Sequence, residues 1–284
     1  MKKKFDKELS YLQEVPSFQE DIFSSLTEKK GTSLFLGKYS LNQVASVLKK
    51  RSFFKDGQKR GLWPLEFDLD SSGYPLQRFR IFYKKKSPEN MIVDLKIKKG
   101  VFRLKKKLAL EFPQSNNNFL ILEWLTLQNP LSSFAEDRTP LPGQKYPGLG
   151  LGKKVADLFI YLARVTRTDG LLAFPAYFHN ALLFMRYFHF VNPEKAGEVQ
   201  AIRKSFPDVN FKQLAWIVHL NCVRDGQGNV FEWKAEEQVY PLNSNLRDYF
   251  DSKKYQAIVR ERQKRLSFEI DWDCYKNKMN EVKT

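Results

Sequence analysis

The apolar and polar positions along the chain predict a run of short strands in its first half. After Ser40, which can cap a helix, apolar residues recur at helical spacing and predict a helix over residues 41–48. Turn residues then separate short segments rich in β-branched and aromatic residues. The predicted strands are 65–69, 79–83, 91–97 and 101–104. Their short connections indicate an antiparallel meander.

A nearly continuous apolar run over residues 119–127 marks the centre of the predicted sheet. Only Glu123 and Thr126 interrupt it, which is typical of a strand covered on both faces. A polar loop that contains prolines follows and leads to closely spaced glycines. Residues 153–166 then have apolar side chains on one helical face. The pattern therefore predicts a strand, a loop, a glycine turn and an amphipathic helix.

The rest of the chain alternates between predicted helices and strands. Helices are predicted over residues 175–188 and 194–204. Strands are predicted over residues 171–174, 190–191, 214–223 and 230–233. The strand at 214–223 includes His219, and an Asp-Gly turn after it predicts a hairpin. The last forty residues, rich in charged residues and Tyr, predict a peripheral helix with an exposed end.

Length and composition favour one domain with terminal additions. A chain of 284 residues with 42% hydrophobic residues can bury a substantial core. Its sequence has no internal repeat and no clear linker. We therefore predict a single α/β domain built on a mixed sheet with helices against it.

The strongly basic composition, with a formal net charge of +16, favours partners that are polyanionic or phosphorylated. Lysines cluster at residues 84–86, 96–99 and 103–107. On alternating strands they would form a solvated sheet face, and that interpretation is favoured. The alternative is a nucleic-acid-binding face in which the lysines act together with Phe79, Phe82 and Tyr83.

Hydropathy and cysteine content predict a cytoplasmic protein. No uncharged apolar run of about 18 residues occurs, so no membrane span is predicted. The start of the sequence also lacks the apolar stretch of a signal peptide. Cys222 and Cys274 make no disulfide framework and belong to no spaced Cys/His set, so no metal site is predicted.

The glycine turn at residues 146–153 is the strongest candidate for a ligand site. Glycines let backbone amides approach an anion closely, and a helix start adds unpaired amides and a favourable dipole. Lys153 and Lys154 add positive charge. The P-loop is excluded because no hydroxyl residue follows Gly152 and Lys153, and the glycine spacing does not fit the dinucleotide fingerprint. A pyrophosphate group suits the turn.

The turn and its surroundings resemble the GNAT superfamily of acyl-CoA-dependent N-acyltransferases. Its motif, approximately Arg/Gln-x-x-Gly-x-Gly/Ala after a central strand, is similar to Tyr146-Pro147-Gly148-Leu149-Gly150-Leu151-Gly152-Lys153. An Asn followed seven residues later by a Tyr is similar to Asn180 and Tyr187. The resemblance covers about residues 65–191. It implies a GNAT-like domain at 39–240, between an N-terminal extension at 1–38 and a C-terminal helical extension at 241–284.

The resemblance also implies acetyl-CoA or another acyl-CoA as co-substrate, no metal, and a small-molecule or protein amine as acceptor. The residues implied to hold the acyl-CoA are Leu125, Leu127, Gly148, Leu149, Gly150, Leu151, Gly152, Lys153 and Asn180. Tyr187 would protonate the leaving thiolate, and Glu123 would accept the proton of the amine. Burial in an apolar strand would raise the pKa of Glu123. The alternatives are an aromatic core residue for Tyr187 and a structural salt bridge for Glu123.

Two features beside this motif leave further alternatives open. Pro147 stands where the family has Arg or Gln, and it removes one backbone donor from the turn. A catalytically inert relative that binds acyl-CoA is therefore an alternative function. His179 and His189 lie close to Asn180 and Tyr187 in sequence and are predicted to line the same cleft, as structural residues or secondary proton carriers.

Overall fold

The structure, a computed structural model, describes residues 33–104, 107–113, 117–135 and 139–283. In these ranges nine α-helices accompany a mixed seven-stranded sheet and a separate two-stranded sheet. The predicted α/β class is therefore confirmed. Most of the predicted N-terminal extension, and part of the third lysine cluster, lie outside the described residues.

Two helices precede the sheet, α1 (Leu41–Lys50) and α2 (Phe53–Lys59). Ser40 caps α1 reciprocally: its hydroxyl accepts a hydrogen bond from the Gln43 amide, and the Gln43 side chain accepts one from the Ser40 amide. The strands that follow are β1 (Leu65–Asp70), β2 (Gln77–Tyr83), β3 (Met91–Val101) and β4 (Asn118–Leu127). Each pairs antiparallel with the next, which confirms the meander. The separate strand predicted at 101–104 is wrong, because Val101 ends β3.

Beyond β4 the helices and strands alternate. They are α3 (Gly152–Val165), β5 (Gly170–Ala173), α4 (Phe178–Phe184), β6 (His189–Phe190), α5 (Pro193–Ser205), α6 (Phe211–His219), β7 (Val223–Asp225), β8 (Gln238–Pro241), α7 (Ser244–Asp251), α8 (Lys253–Arg265), β9 (Phe268–Ile270) and α9 (Trp272–Lys283). None of the helices in the described ranges is long and apolar enough to cross a bilayer.

The sheet has the strand order β1-β2-β3-β4-β5-β8-β6. β4 and β5 form its parallel pair, and β8 lies antiparallel between β5 and β6. The crossover from β4 to β5 passes through α3. Because this helix returns the chain to the start of β5, the amino end of α3 lies at the carboxyl ends of both strands.

The two faces of the sheet carry separate hydrophobic clusters. On one face, here the α3 face, Ile97, Leu120 and Leu122 pack beneath α1 and α3. On the opposite face, the α5 face, Phe119 and Ile121 pack with residues of α4 to α8. Neighbouring residues of β4 therefore enter different clusters, as the alternation of side chains along a strand requires.

The α5 face is covered only over part of the sheet. Along β2 and β3 it carries the ion pair of Arg78 with Asp94, whose Nε and Oδ1 atoms are 2.7 Å apart. Near the end of β4, Trp124 is 45% exposed. The prediction that residues 119–127 are covered on both faces is therefore wrong beyond Leu122.

The strand predicted at 214–223 is wrong, because residues 211–219 form the helix α6. The Asn210 side chain caps this helix by accepting a hydrogen bond from the Gln213 amide, 2.9 Å away. Consecutive residues of α6 from Leu214 to Val218 are buried, so the helical period is hidden in the sequence. The helix predicted at 175–188 is shorter than expected and ends at Phe184.

The peripheral position predicted for the C-terminal residues is wrong for α7 and α8. Phe250 and Tyr255 are buried in the core of the α5 face, and the Tyr255 hydroxyl donates to the Phe190 carbonyl at 2.6 Å. The strand predicted at 230–233 is absent from the described segment, but the predicted hairpin turn is present, because Val230 forms an isolated antiparallel bridge with Arg224. β7 also pairs with β9. Cys222 and Cys274 are in contact, with their sulfurs 2.6 Å apart.

Candidate functional site

The glycine turn presents bare backbone at the amino end of α3. Gly150 has a φ of +67°, a left-handed conformation that favours glycine. Gly152 is the first residue of α3, and the preceding Leu151 provides no side-chain cap. A Cβ added to Gly152 would meet no described atom within 4 Å. A ligand can therefore approach this backbone closely.

The first amides of α3 are available to an anion. The amide of Val155 donates to the Leu151 carbonyl at 2.9 Å, which is the first backbone bond of the helix. No acceptor among the described residues is recorded for the amides of Gly152, Lys153 and Lys154. These unpaired donors and the helix dipole favour negative charge at the turn.

Residues of α2 hold the turn in place, and sequence reasoning did not identify them. The Arg60 guanidinium donates to the Leu149 carbonyl and to the Asp56 carbonyl, each at 2.9 Å. Asp56 also forms an ion pair with Lys154. Lys154 is thus engaged in anchoring α3 to α2, whereas Lys153 is exposed beside the turn. Arg60 adds a further positive charge.

Pro147 ties the turn to the end of β4. Its carbonyl accepts a hydrogen bond from the Asn129 amide at 2.8 Å. A Cβ on Gly148 would lie 3.8 Å from the Leu127 carbonyl oxygen, so the turn passes beside the last residues of β4. The proline removes one donor from the turn, but its carbonyl fixes the position of the turn against the strand.

A β-bulge divides β4 into two parts. Lys96 pairs with Trp124 whereas Ile97 pairs with Leu122, so Glu123 is the extra residue. The pairing of β4 with β5 stops at the same place, because its last pair joins Leu122 to Ala173. From Glu123 onward no strand of the described residues pairs with β4 on the side of β5, and this part of β4 is called the free edge.

The backbone of Leu125 and Leu127 faces this free edge. The Gln128 amide donates to the Ile92 carbonyl at 3.0 Å, so Gln128 directs its backbone groups toward β3. Alternate residues of an antiparallel pair direct their N–H and C=O groups to opposite sides. Leu125 and Leu127 lie an odd number of residues before Gln128. Their N–H and C=O groups therefore point away from β3, toward the side of β4 that β5 no longer covers. This free edge adjoins the glycine turn.

Asn180 lies at the same end of the sheet as the turn and the free edge. It belongs to the first turn of α4, a few residues after the carboxyl end of β5, and its amide donates to the Tyr177 carbonyl at 3.1 Å.

Among the residues predicted to hold acyl-CoA at the turn, Leu149 differs because its side chain is buried with Leu62 and Ile92. Only its backbone adjoins the turn surface.

Tyr187 lies in a cleft at the opposite end of α3. The cleft has a volume of about 610 Å³, and Arg164, near the end of α3, lines it together with Tyr187 and His189. α3 has 14 residues and is therefore roughly 20 Å long. The structure does not bring Tyr187 to the glycine turn.

Glu123 is neither fully buried nor close to Tyr187. Its carboxylate pairs with Lys98 at 2.5 Å, and its side chain is 32% exposed. Lys98 alternates with Ile97 and so lies on the α5 face, whereas Tyr187 packs against the cluster of the α3 face. The expected burial of Glu123 is wrong, and the salt bridge that was its alternative is present. Its role as a base stays a prediction.

The two histidines predicted to share a cleft lie in different places. His179 is 4% exposed and stacks on Tyr177, with ring centroids 5.3 Å apart. Burial and nearby His219 lower the pKa of His179 to about 4. His189 lines the cleft with Tyr187 and stacks on Phe250 at 4.8 Å. Its packing lowers its pKa, while the charge of Asp251 acts in the opposite direction.

Two of the three aromatic residues named for the alternative nucleic-acid-binding face are buried. Phe79 and Phe82 are each 5% exposed and cannot stack on bases. Two lysines of the described clusters have acidic or carbonyl partners: Lys86 pairs with Asp68 at 3.3 Å, and Lys99 donates to the Thr166 carbonyl at 2.9 Å. These contacts agree with a solvated, charged sheet face.

Comparisons with known proteins and a search for metal ligands add no assignment. No family model matches the chain, and no curated protein matches it. Among the described residues, no group of three or more His, Cys, Asp or Glu side chains is arranged to hold a metal ion.

Proposed function

We propose that the protein is an acyl-CoA-dependent N-acyltransferase of the GNAT type. The observation that carries the proposal is the juxtaposition of a free strand edge at Leu125 and Leu127 with bare glycines and unpaired amides at the start of α3. The strand order, with parallel β4 and β5 joined through α3, supports it because the resemblance implies this succession of elements.

In this proposal the acyl-CoA lies along the backbone of the turn and of β4. Its pyrophosphate accepts hydrogen bonds from the amides at the start of α3, and Lys153 and Arg60 add charge. The amides of its pantetheine arm pair with the free edge at Leu125 and Leu127, as an added strand would. A thioester held in this way points toward the bulge at Glu123.

The reaction is attack of an amine nitrogen on the thioester carbonyl carbon, with cleavage of the carbon–sulfur bond. The amine loses a proton to a base, for which Glu123 is the proposed residue, and the thiolate gains one from an acid, proposed as Tyr187. Tyr187 lies at the far end of α3 from the turn, so its role as the acid follows from the resemblance and not from the geometry of the turn.

A second candidate, an inert protein that binds acyl-CoA, is favoured by one observation. Tyr187 and Glu123 lie toward opposite faces of the sheet, and Glu123 is ion-paired with Lys98. Such an arrangement can retain the cofactor site without an acid and a base beside one thioester.

Binding of acetyl-CoA to the Gly152→Ala variant tests the cofactor site. The added methyl meets no described atom within 4 Å, so the fold is expected to tolerate it, yet the methyl blocks close approach of the pyrophosphate. Gly100→Ala is the matched control, because its methyl also meets no described atom and Gly100 lies on β3. We expect acetyl-CoA to bind about tenfold more weakly to Gly152→Ala, equivalent to about 1.4 kcal/mol, and equally to the control.

Calorimetric titration at two salt concentrations separates this site from the general attraction of a basic protein for anions. Absence of acetyl-CoA binding to the wild type would reject both candidates. If acetyl-CoA binds, release of free thiol with a panel of amines separates enzyme from inert binder. Tyr187→Phe and Glu123→Gln are then expected to lower kcat, and unchanged kcat in either variant would remove that residue from the mechanism.

A further inference from the structure

We propose that the cleft at the carboxyl end of α3 binds a small molecule that carries a carboxylate or phosphate group. Its volume of about 610 Å³ is within the range of small-molecule sites. Residues of α3, β6, β8 and α7 line it, and the proposed acyl-CoA site lies at the other end of α3. The inference does not depend on the proposed function.

Arg247 is the residue on which the acidic group would rest. Its Nη2 atom donates to the Leu242 carbonyl at 2.8 Å, and its Nε atom donates to the Asn243 carbonyl at 3.2 Å. Most N–H groups of the guanidinium remain for a ligand. Because two backbone carbonyls hold the side chain, binding an oxyanion costs little ordering of the arginine.

The segment that holds Arg247 is itself fixed to the sheet. The amides of Leu242 and Asn243 both donate to the Asp169 carbonyl, at 2.8 and 3.1 Å. The Asn243 side-chain oxygen accepts from the Leu246 amide at 2.9 Å and so caps α7. These bonds run from the turn before β5 to the arginine, which makes Arg247 part of a preformed wall.

The remaining walls offer neutral hydrogen-bonding groups and one opposing charge. Tyr187 and Tyr240 contribute hydroxyls, and burial lowers the pKa of His189 below its ordinary value. Arg164 adds a second guanidinium and Asp251 a carboxylate. The charged side chains thus leave the cleft positive, with space for an acidic group at Arg247 and for ligand donors beside Asp251.

Calorimetric titration of the full chain with L-glutamate, inorganic phosphate and spermidine tests the proposal. We expect saturable binding of glutamate or phosphate and none of spermidine, and the preferred anion tells a carboxylate ligand from a phosphate ligand. Arg247→Gln should weaken that binding about tenfold or more, because a charged hydrogen bond is lost. Arg260→Gln, on the exposed side of α8, removes the same charge elsewhere and should leave binding unchanged.

Asp251→Asn should have the opposite effect on anion binding from Arg247→Gln. A misfolded variant would lose binding, so stronger binding cannot come from misfolding. It removes a repulsive charge and should strengthen phosphate binding severalfold. Equal weakening by Arg247→Gln and Arg260→Gln would show a general field effect and overturn the proposal, as would saturable binding of neither anion. Acetyl-CoA binding is measured in the same variants. Its absence together with Arg247-dependent anion binding rejects the proposed function and leaves the cleft proposal intact.

Discussion

The two ends of α3 offer two different kinds of binding surface. At its amino end the surface is backbone: Gly150 and Gly152, where an added Cβ would meet no described atom within 4 Å, the amides at the start of α3 and the free edge of β4. At its carboxyl end the surface is made of side chains, with Arg247 held by backbone carbonyls. A backbone surface is insensitive to most substitutions but is blocked by a methyl group at glycine. A side-chain surface responds to changes of charge. Mutations can therefore separate the two proposed sites.

The largest expected effect compares His179, in the first turn of α4, with His189, in β6. His179 has a pKa of about 4 against an ordinary 6.5, a difference worth about 3 kcal/mol. Because the unfolded chain takes up this proton first, the free energy of unfolding should fall as the pH drops from about 6.5 to 4. Denaturant titrations at several pH values in that range give the free energy of unfolding at each pH. This free energy should depend less steeply on pH in His179→Gln than in the wild type. His189→Gln should flatten this dependence less, and an unchanged slope in His179→Gln would contradict the assignment.

A smaller effect compares Gly152, the first residue of α3, with Gly170, the first residue of β5. A Cβ on Gly170 would lie 2.7 Å from the Tyr240 carbonyl oxygen and 3.1 Å from the Phe119 ring, so Gly170→Ala overpacks the sheet. We expect it to lower the free energy of unfolding by about 2 kcal/mol. Gly152→Ala should change it by less than about 0.5 kcal/mol. Urea denaturation measures both, and equal losses would mean that the turn is as tightly packed as the sheet.

The smallest effect separates the adjacent lysines at the turn. Lys154→Met removes the ion pair with Asp56 and should cost about 0.5 kcal/mol of stability, because the pair is partly exposed. Lys153→Met should leave stability unchanged and weaken acetyl-CoA binding instead, since Lys153 is exposed beside the turn. Thermal melts of the two variants measure stability, and titrations with acetyl-CoA measure binding. A stability loss in Lys153→Met larger than in Lys154→Met would contradict it.

Local sequence signals predicted the elements around the turn, because each depends on nearby residues. The apolar run of β4, the glycines and the amphipathic α3 are contiguous, and the structure has all three. The bulge at Glu123 was not predictable, because it exists only in the register between β3 and β4. The free edge at Leu125 and Leu127 likewise depends on where β5 ends.

The wrong predictions concern places where tertiary packing, and not the nearby sequence, decides the structure. α6 is surrounded by the core, so its apolar residues showed no helical period, and the Asn210 cap was the signal that sequence reasoning missed. The cleft gathers residues from Arg164 to Asp251 through the sheet order, which no local pattern encodes. Tyr187 and His179 are near one another in sequence, but His179 lies at the start of α4 and Tyr187 lies beyond its end.

The bond between the Pro147 carbonyl and the Asn129 amide has a consequence for the kinetics of binding. The proline ring fixes one backbone angle, and the bond holds the turn against β4 before a ligand arrives. An arriving acyl-CoA would meet a formed surface rather than a loop that must first close. Its observed association rate should therefore rise linearly with ligand concentration, without the plateau that a slow rearrangement of the loop would impose.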